Sequence, residues 1–217
     1  MNVVSVNVGL PRDVIWKGKT VTTGIFKEPV EGRVPLRTLN LDGDRQADLN
    51  VHGGVHKAVY AYPAEHYEFW RRELAGLESP WGLFGENLTV EGLFEDELNI
   101  GDRLRIGSAE LTVTQPRLPC YKLAVKFGRD DIIKRFLDSG RTGFYFAVQR
   151  EGEVGAGDSI ETISTDAGGL KVADLTRLYL EGKDDAEGLE RALTVDALPE
   201  SWKLYFEHQL EKLRAND

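Results

Sequence analysis

Gly101-Asp102-Arg103-Leu104-Arg105-Ile106-Gly107-Ser108-Ala109-Glu110-Leu111-Thr112-Val113-Thr114-Gln115 carries two short β-patterned runs, 103–106 and 110–115, the first entered through a Gly-Asp turn. Outward from it the same grammar repeats: strand-like runs at 3–8, 20–26, 57–62, 87–90 and 144–149, and a second Gly-Asp turn at Gly157-Asp158. Short β-branched runs between Gly, Pro and Asp turns suit a closed or nearly closed barrel, so the fold class expected is mainly β (α+β). Two helices are expected to interrupt it, at 63–74 and at 130–137, where Asp130 and Asp131 favour a helix start. After Thr165-Asp166-Ala167-Gly168-Gly169 the apolar period changes from two to about 3.6. Val172, Leu175, Leu178 and Tyr179 form one face, Leu189, Ala192 and Leu193 a second, and Trp202, Tyr205, Phe206, Leu210 and Leu213 a third. A barrel domain over 1–164 and a small C-terminal three-helix domain over 165–217 are the expected units. Helices this short need an outside surface to pack on, either the barrel or a second copy, and a homodimer is expected on that ground.

Composition closes several functional classes. The net charge of −9 repels a nucleic-acid backbone, and residues 166–217 hold seven Lys/Arg against twelve Asp/Glu, which argues against reading three helices as a DNA-binding motif. No run is apolar enough to span a bilayer, and the first residues lack the basic and apolar regions of a signal peptide, so a soluble cytoplasmic protein without membrane or nucleic-acid partners is expected. One cysteine excludes an internal disulfide, a Cys-x-x-Cys pair and a cysteine-ligated iron–sulfur cluster.

That cysteine stands in Gln115-Pro116-Arg117-Leu118-Pro119-Cys120-Tyr121-Lys122-Leu123, directly after the alternating 110–115 run. Two prolines fix φ on the approach, and Arg117 and Lys122 place positive charge beside a thiol that is a soft metal ligand when ionised. A lone cysteine is otherwise a small buried hydrophobe. Here residues 115–150 hold eight Lys/Arg and three Asp, a local excess of +5 within an acidic chain. Lys134 and Arg135 belong to a solvated helix, leaving Arg117, Lys122 and Arg141 for an anionic ligand.

A second segment runs Asp42-Gly43-Asp44-Arg45-Gln46-Ala47-Asp48-Leu49-Asn50-Val51-His52-Gly53-Gly54-Val55-His56-Lys57. An EF-hand would need glycine where Ala47 stands and a bidentate glutamate where Gly53 stands. A zinc-protease helix would need glutamate after His52 and tolerates no paired glycines, and a phosphate loop would need Gly-Lys-Ser/Thr. What stays open is an anion cradle, with Gly53 and Gly54 turning backbone N–H groups to one point beside His52 and Lys57, or a plain glycine turn into a strand. His66 and His208 read as surface residues. A third segment, Phe84-Gly85-Glu86-Asn87-Leu88, sets a glycine turn and an amide before a strand.

Together, these segments resemble the YiiM-like branch of the MOSC family. The resemblance runs through Val6-Asn7-Val8-Gly9, Thr23-Gly24-Ile25-Phe26-Lys27, the 43–48 and 52–54 segments, Lys57-Ala58-Val59-Tyr60, 84–88 and 115–123, and the tail looks like that branch's three-helix domain. It implies a MOSC-type β-barrel that binds molybdenum cofactor, a pterin dithiolene ending in phosphate, with Cys120 as the protein ligand to molybdenum and as the catalytic residue. It further implies reduction of N-hydroxylated compounds such as 6-hydroxylaminopurine, a detoxifying activity. Lys27, His52, Gly53, Gly54, Lys57, Asn87, Arg117 and Lys122 are the expected cofactor-binding residues. With no flavin motif and one cysteine, the electrons are expected from a separate reductase. Two other readings use the same thiol: a sulfur carrier with a Cys120 persulfide, and a protein that stores or delivers the cofactor without turnover.

Overall fold

The computed structural model describes residues 1–47, 53–76 and 78–216. In chain order the strands begin with β1 (Asn2–Val8), β2 (Arg12–Trp16), β3 (Lys19–Thr23), β4 (Glu28–Val30) and β5 (Arg33–Leu36). A 3-10 turn at Val55–Lys57 leads to β6 (Val59–Pro63), α1 (His66–Glu73), β7 (Leu88–Glu91), β8 (Arg103–Ile106) and β9 (Ala109–Pro116). Then come α2 (Tyr121–Phe127), α3 (Ile132–Asp138), β10 (Phe144–Arg150), β11 (Gly152–Gly155) and β12 (Ile160–Ser164). The tail holds α4 (Val172–Glu181), α5 (Ala186–Leu193) and α6 (Glu200–Asn216).

Eight strands form one sheet in the order β12-β8-β9-β10-β6-β7-β1-β4, antiparallel throughout except for the β6–β7 pair, whose crossover carries α1. The sheet curls until its ends nearly meet. Asn2 bridges Ser159, Val3 N donates to Asp158 O at 2.9 Å, and Ile160 N donates to Met1 O at 3.0 Å, which joins β1 to the residues entering β12. A short β5–β11 pair and a β2–β3 hairpin lie beside the main sheet.

β6 shows how the sequence divides the interior. All five of its residues are buried, and alternation sends Val59 and Ala61 into one core and Tyr60 and Tyr62 into another. The first core fills the curled sheet; the second is aromatic and lies under α1, α2 and α3, with Tyr62 stacked on Phe84 at 4.5 Å and bonded by Trp70 Nε1 at 2.6 Å. β10 repeats the division, with Phe144 and Phe146 on the first side and Tyr145 on the second.

Several expected boundaries shift. Pro63 ends β6 instead of starting α1, Lys57 ends a 3-10 turn instead of starting the strand, and the 20–26 run stops being strand at Thr23, the end of β3 in the β2–β3 hairpin. α2 was not expected at all. Its Leu123 and Ala124 dock in the aromatic core, so tertiary packing makes a helix of seven residues that would not hold alone.

The tail packs on the sheet. Val172, Leu175, Leu189, Trp202, Phe206 and Leu210 belong to the same buried cluster as Val113 and Leu111 of β9. Ile100 N donates to Leu170 O at 2.8 Å and Val172 N to Leu98 O at 2.9 Å, fixing the entry to α4. Trp202 Nε1 donates to Gln115 Oε1 at 2.7 Å, tying α6 to β9. The apolar faces that motivated the homodimer are therefore covered within one chain and give no argument for a second copy. Among the described residues, no helix is long and apolar enough to cross a membrane.

A shared core should unfold as one unit. Phe206, fully buried in it, is expected to cost about 3–5 kcal/mol when replaced by alanine. Urea unfolding followed by far-UV dichroism and tryptophan fluorescence should move together in Phe206→Ala; a tail transition separating from a sheet transition would contradict the shared core.

Candidate functional site

β9 ends at Pro116 and α2 begins at Tyr121, so Cys120 sits on a four-residue connection, extended at φ −120°, that follows a strand as expected. It is half-buried and lines a cleft enclosing about 680 Å³ of space, part of it open solvent. Of the expected site residues, Lys27, Gly53, Lys57, Asn87, Arg117 and Lys122 line the same cleft. Gly54 does not; it is exposed and precedes the 3-10 turn at φ 83°. His52 and Asp48 lie outside the described residues. Arg141 stands elsewhere, its guanidinium 4.0 Å from the centre of the Phe69 ring.

Arg117 is the most constrained cation. It is buried, with its guanidinium 5.1 Å from the centres of both the Tyr60 and Phe136 rings. Its Nη1 is buried and has no hydrogen-bond partner. A guanidinium keeps its charge, so this is a buried cationic N–H that lacks an acceptor. Lys57, half-buried, is close enough to Cys120 for the two to act on each other: burial lowers the Lys57 pKa, and Cys120 opposes that shift.

Lys27 and Asn87 differ from expectation in kind. Lys27 is buried and paired with Asp44, whose side chain is fully enclosed; burial lowers the Lys27 pKa while Asp44 pulls it up. Asp44 also accepts from Asn87 Nδ2 at 2.9 Å and Gly9 N at 3.0 Å, and Asn87 Oδ1 accepts from Tyr60 N at 3.1 Å. Both residues therefore brace the cleft from behind through bonds already made within the chain. The 82–86 turn is held the same way. The buried Glu86 carboxylate accepts from Tyr67 Oη, from Gly82 N at 2.8 Å, from Phe84 N at 3.0 Å and from Thr89 Oγ1 at 3.0 Å, while burial raises its pKa.

Backbones approach closely along the opposite wall. A Cβ on Gly24 would come within 2.4 Å of Arg45 O, and one on Gly85, at φ +81°, within 2.8 Å of Ile25 Cγ1. This packing brings Thr23, Ile25, Arg45, Gln46 and Ala47 to the cleft. Arg45 and Gln46 belong to the 43–48 segment that carries the family resemblance but were given no role there; the approach of Gly24 to Arg45 puts them on the cleft. Tyr145 also lines the cleft, and its place on the second face of a recognised strand was the available signal. His66 is not a surface residue: its Nε2 lies 2.8 Å from the Glu95 carboxylate in a largely enclosed pair, away from the cleft.

Comparison with known proteins sets this geometry in a lineage. The MOSC domain matches residues 48–161, and the YiiM-like, 3-alpha helix domain matches residues 172–213. YflK of Bacillus subtilis is 42% identical over 98% of this chain and 96% of its own length. Protein YiiM of Escherichia coli is 35% identical over 83% of this chain and 81% of its own. A Gibberella moniliformis protein named as a reductase is 32% identical over 67% of this chain, a match spanning 26% of that longer protein. The crystal structure of YiiM from Geobacillus stearothermophilus superposes with a TM-score of 0.81 at 33% identity, covering 96% of this chain and 98% of that one.

Breaking one side of a buried ion pair strands the other charge. Asp44→Ala is expected to lose about 3–5 kcal/mol in urea unfolding, because Lys27, Asn87 and Gly9 lose their acceptor together. The double variant Lys27→Met/Asp44→Leu should recover part of that loss; a single variant as stable as the parent would show that the pair does not brace the cleft.

Proposed function

Because this chain belongs to the MOSC family, in the branch that carries the YiiM-like three-helix domain, we propose that it is a molybdenum-cofactor-dependent reductase of N-hydroxylated compounds such as 6-hydroxylaminopurine. Association with molybdenum cofactor is a property of the MOSC family. The observation that carries the reading for this chain is the company Cys120 keeps: one sulfur on a cleft with Lys57, Arg117 and Lys122, and a buried guanidinium nitrogen of Arg117 without a partner.

The donor set fits such a group. A bare metal cation would be repelled by Lys57 and Arg117, both of which interact electrostatically with Cys120. A metal that arrives already chelated on an anionic carrier meets the opposite situation, with one soft ligand for the metal and fixed cationic donors for the carrier. Cys120 would ligate the molybdenum through sulfur. Arg117, Lys57 and Lys122 would hold the anionic end, with Gly53 offering backbone N–H to it. When bound, the cofactor supplies two electrons, which with two protons cleave the N–O bond to give the amine and water.

The chain's own residues do the rest. Arg117, clamped between two rings, presents its donor without rotamer freedom to lose. Lys57 brings an ammonium beside Cys120, and burial weakens its hold on the proton at Nζ, the direction that suits delivery to a leaving oxygen. Lys27 and Asn87 keep the wall still through Asp44. With one cysteine in the chain, a cysteine-ligated iron–sulfur cluster is closed to it, so the electrons come from a separate reductase.

The test is Cys120→Ser, near in volume but a hard hydroxyl in place of a soft sulfur. Protein made in a host that supplies the cofactor should keep its fold, lose bound molybdenum, and lose at least about a hundredfold of its turnover with an artificial reductant, the scale of a lost metal interaction. Stoichiometric molybdenum with full turnover in the variant would refute the assignment.

A further inference from the structure

Cys120 borders two clefts. The second opens between the sheet and the helical tail and shares Lys57, Leu118, Cys120 and Tyr145 with the first, so the two adjoin around Cys120. Its far wall is chemically unlike the cationic cleft: it is made by Tyr179 of α4 and by Ser201, Trp202 and Tyr205 of α6. Tyr179 lies 5.4 Å from Trp202 and 5.2 Å from Tyr205, centre to centre, so the tail presents a continuous aromatic surface. Lys57, shared with the first cleft, is the only lysine or arginine on it among the described residues. A phosphate or carboxylate would find little there, whereas a flat uncharged ring system would find faces and edges to pack on.

The polar groups on this wall divide in two. Gln115 is buried, with both ends of its amide bonded, accepting from Trp202 Nε1 at 2.7 Å and donating to His56 O at 3.1 Å, so its role is to fix the tryptophan. The hydroxyl-bearing residues Tyr179, Tyr205 and Ser201 line the cleft, and Tyr179 and Tyr205 are half-buried. Burial, with Tyr179 beside it, raises the Tyr205 pKa still further above neutrality, so its hydroxyl is protonated there.

We propose that this second cleft is the substrate site, that it takes a flat heteroaromatic ring with its N-hydroxyl group directed at Cys120, and that Tyr179 and Tyr205 of the helical tail select for that ring. The proposal deepens the reductase reading and rests on it for the direction of the ligand. Cofactor and substrate then approach one sulfur from two sides, the anionic group by the basic cleft and the neutral ring by the aromatic one. Specificity for the ring lies in the tail, while the residues at the junction come from the sheet and its loops.

Adenine, the product of reducing 6-hydroxylaminopurine, is a probe that needs no turnover. Titrated calorimetrically into the full chain, it should bind, and Tyr179→Ala and Tyr205→Ala should each weaken it about tenfold, the scale of one lost base–aromatic contact. Tyr205→Phe, which keeps the ring, should lose less and guards against a folding defect. In molybdenum-loaded protein with an artificial reductant, the alanine variants should keep their molybdenum and raise KM for the N-hydroxylated purine several times more than for N-methylhydroxylamine. Adenine that fails to bind, or binds both alanine variants as tightly as the parent, would overturn the proposal. Tyrosine-dependent adenine binding without molybdenum-dependent turnover would sustain the cleft and sink the reductase reading; turnover whose KM ignores both tyrosines would do the reverse.

Discussion

A single enclosed carboxylate, that of Asp44, holds the site together. It pairs with Lys27 and accepts from Asn87 and Gly9. Gly9 follows β1, Lys27 precedes β4 and Asn87 precedes β7, and β1 is the strand that pairs with both of the others. One side chain therefore pins three adjacent strand ends at the cleft. Desolvating such a pair consumes most of its Coulomb gain, so what it contributes is position more than stability. Its own segment continues into Arg45, Gln46 and Ala47 on the cleft wall, so the brace and the lining are one piece of chain.

What the sequence revealed and what it concealed follow from distance along the chain. The Cys120 segment was readable because prolines, thiol and cations are neighbours in sequence, and their joint chemistry survives without knowing the fold. The strands were readable because period two is local, as was the helical tail. Asn87 was read as an amide after a glycine turn and Lys27 entered through the family resemblance, but neither as a brace, since Asp44 stands 17 residues from Lys27 and its segment invited a calcium reading instead. His66 was placed on the surface because its partner, Glu95, is 29 residues away. α2 stayed hidden because Leu123, Ala124 and Val125 suit a strand as well as a helix, and only the aromatic core beneath them decides.

The tail shows the same limit in a form that bears on function. Its apolar faces called for an outside surface, the barrel or a second copy, and the buried cluster that they join is that of the sheet in the same chain. Trp202 reaches Gln115 across 87 residues of sequence, a contact that no local pattern announces. That contact turns a packing element into a wall of a cleft, and it brings Tyr179 and Tyr205 to within reach of the region around Cys120.

The same hydrogen bonds limit how independent the two clefts can be. Trp202 fixes Gln115, Gln115 Nε2 holds the carbonyl of His56, and Thr114 Oγ1 donates to that carbonyl at 2.7 Å. His56 immediately precedes Lys57, the cation common to both clefts. The backbone that places the Lys57 ammonium is thus set in part by the tail, through two side chains of β9 that share one acceptor. An aromatic wall that varied freely to admit other rings would have to keep the indole N–H in place, because losing it would leave the buried Gln115 oxygen unpaired beside the site. On the proposed reading, Tyr179 and Tyr205 are the positions where ring selectivity can change, and Trp202 is the position where it cannot change without disturbing the cation beside the sulfur.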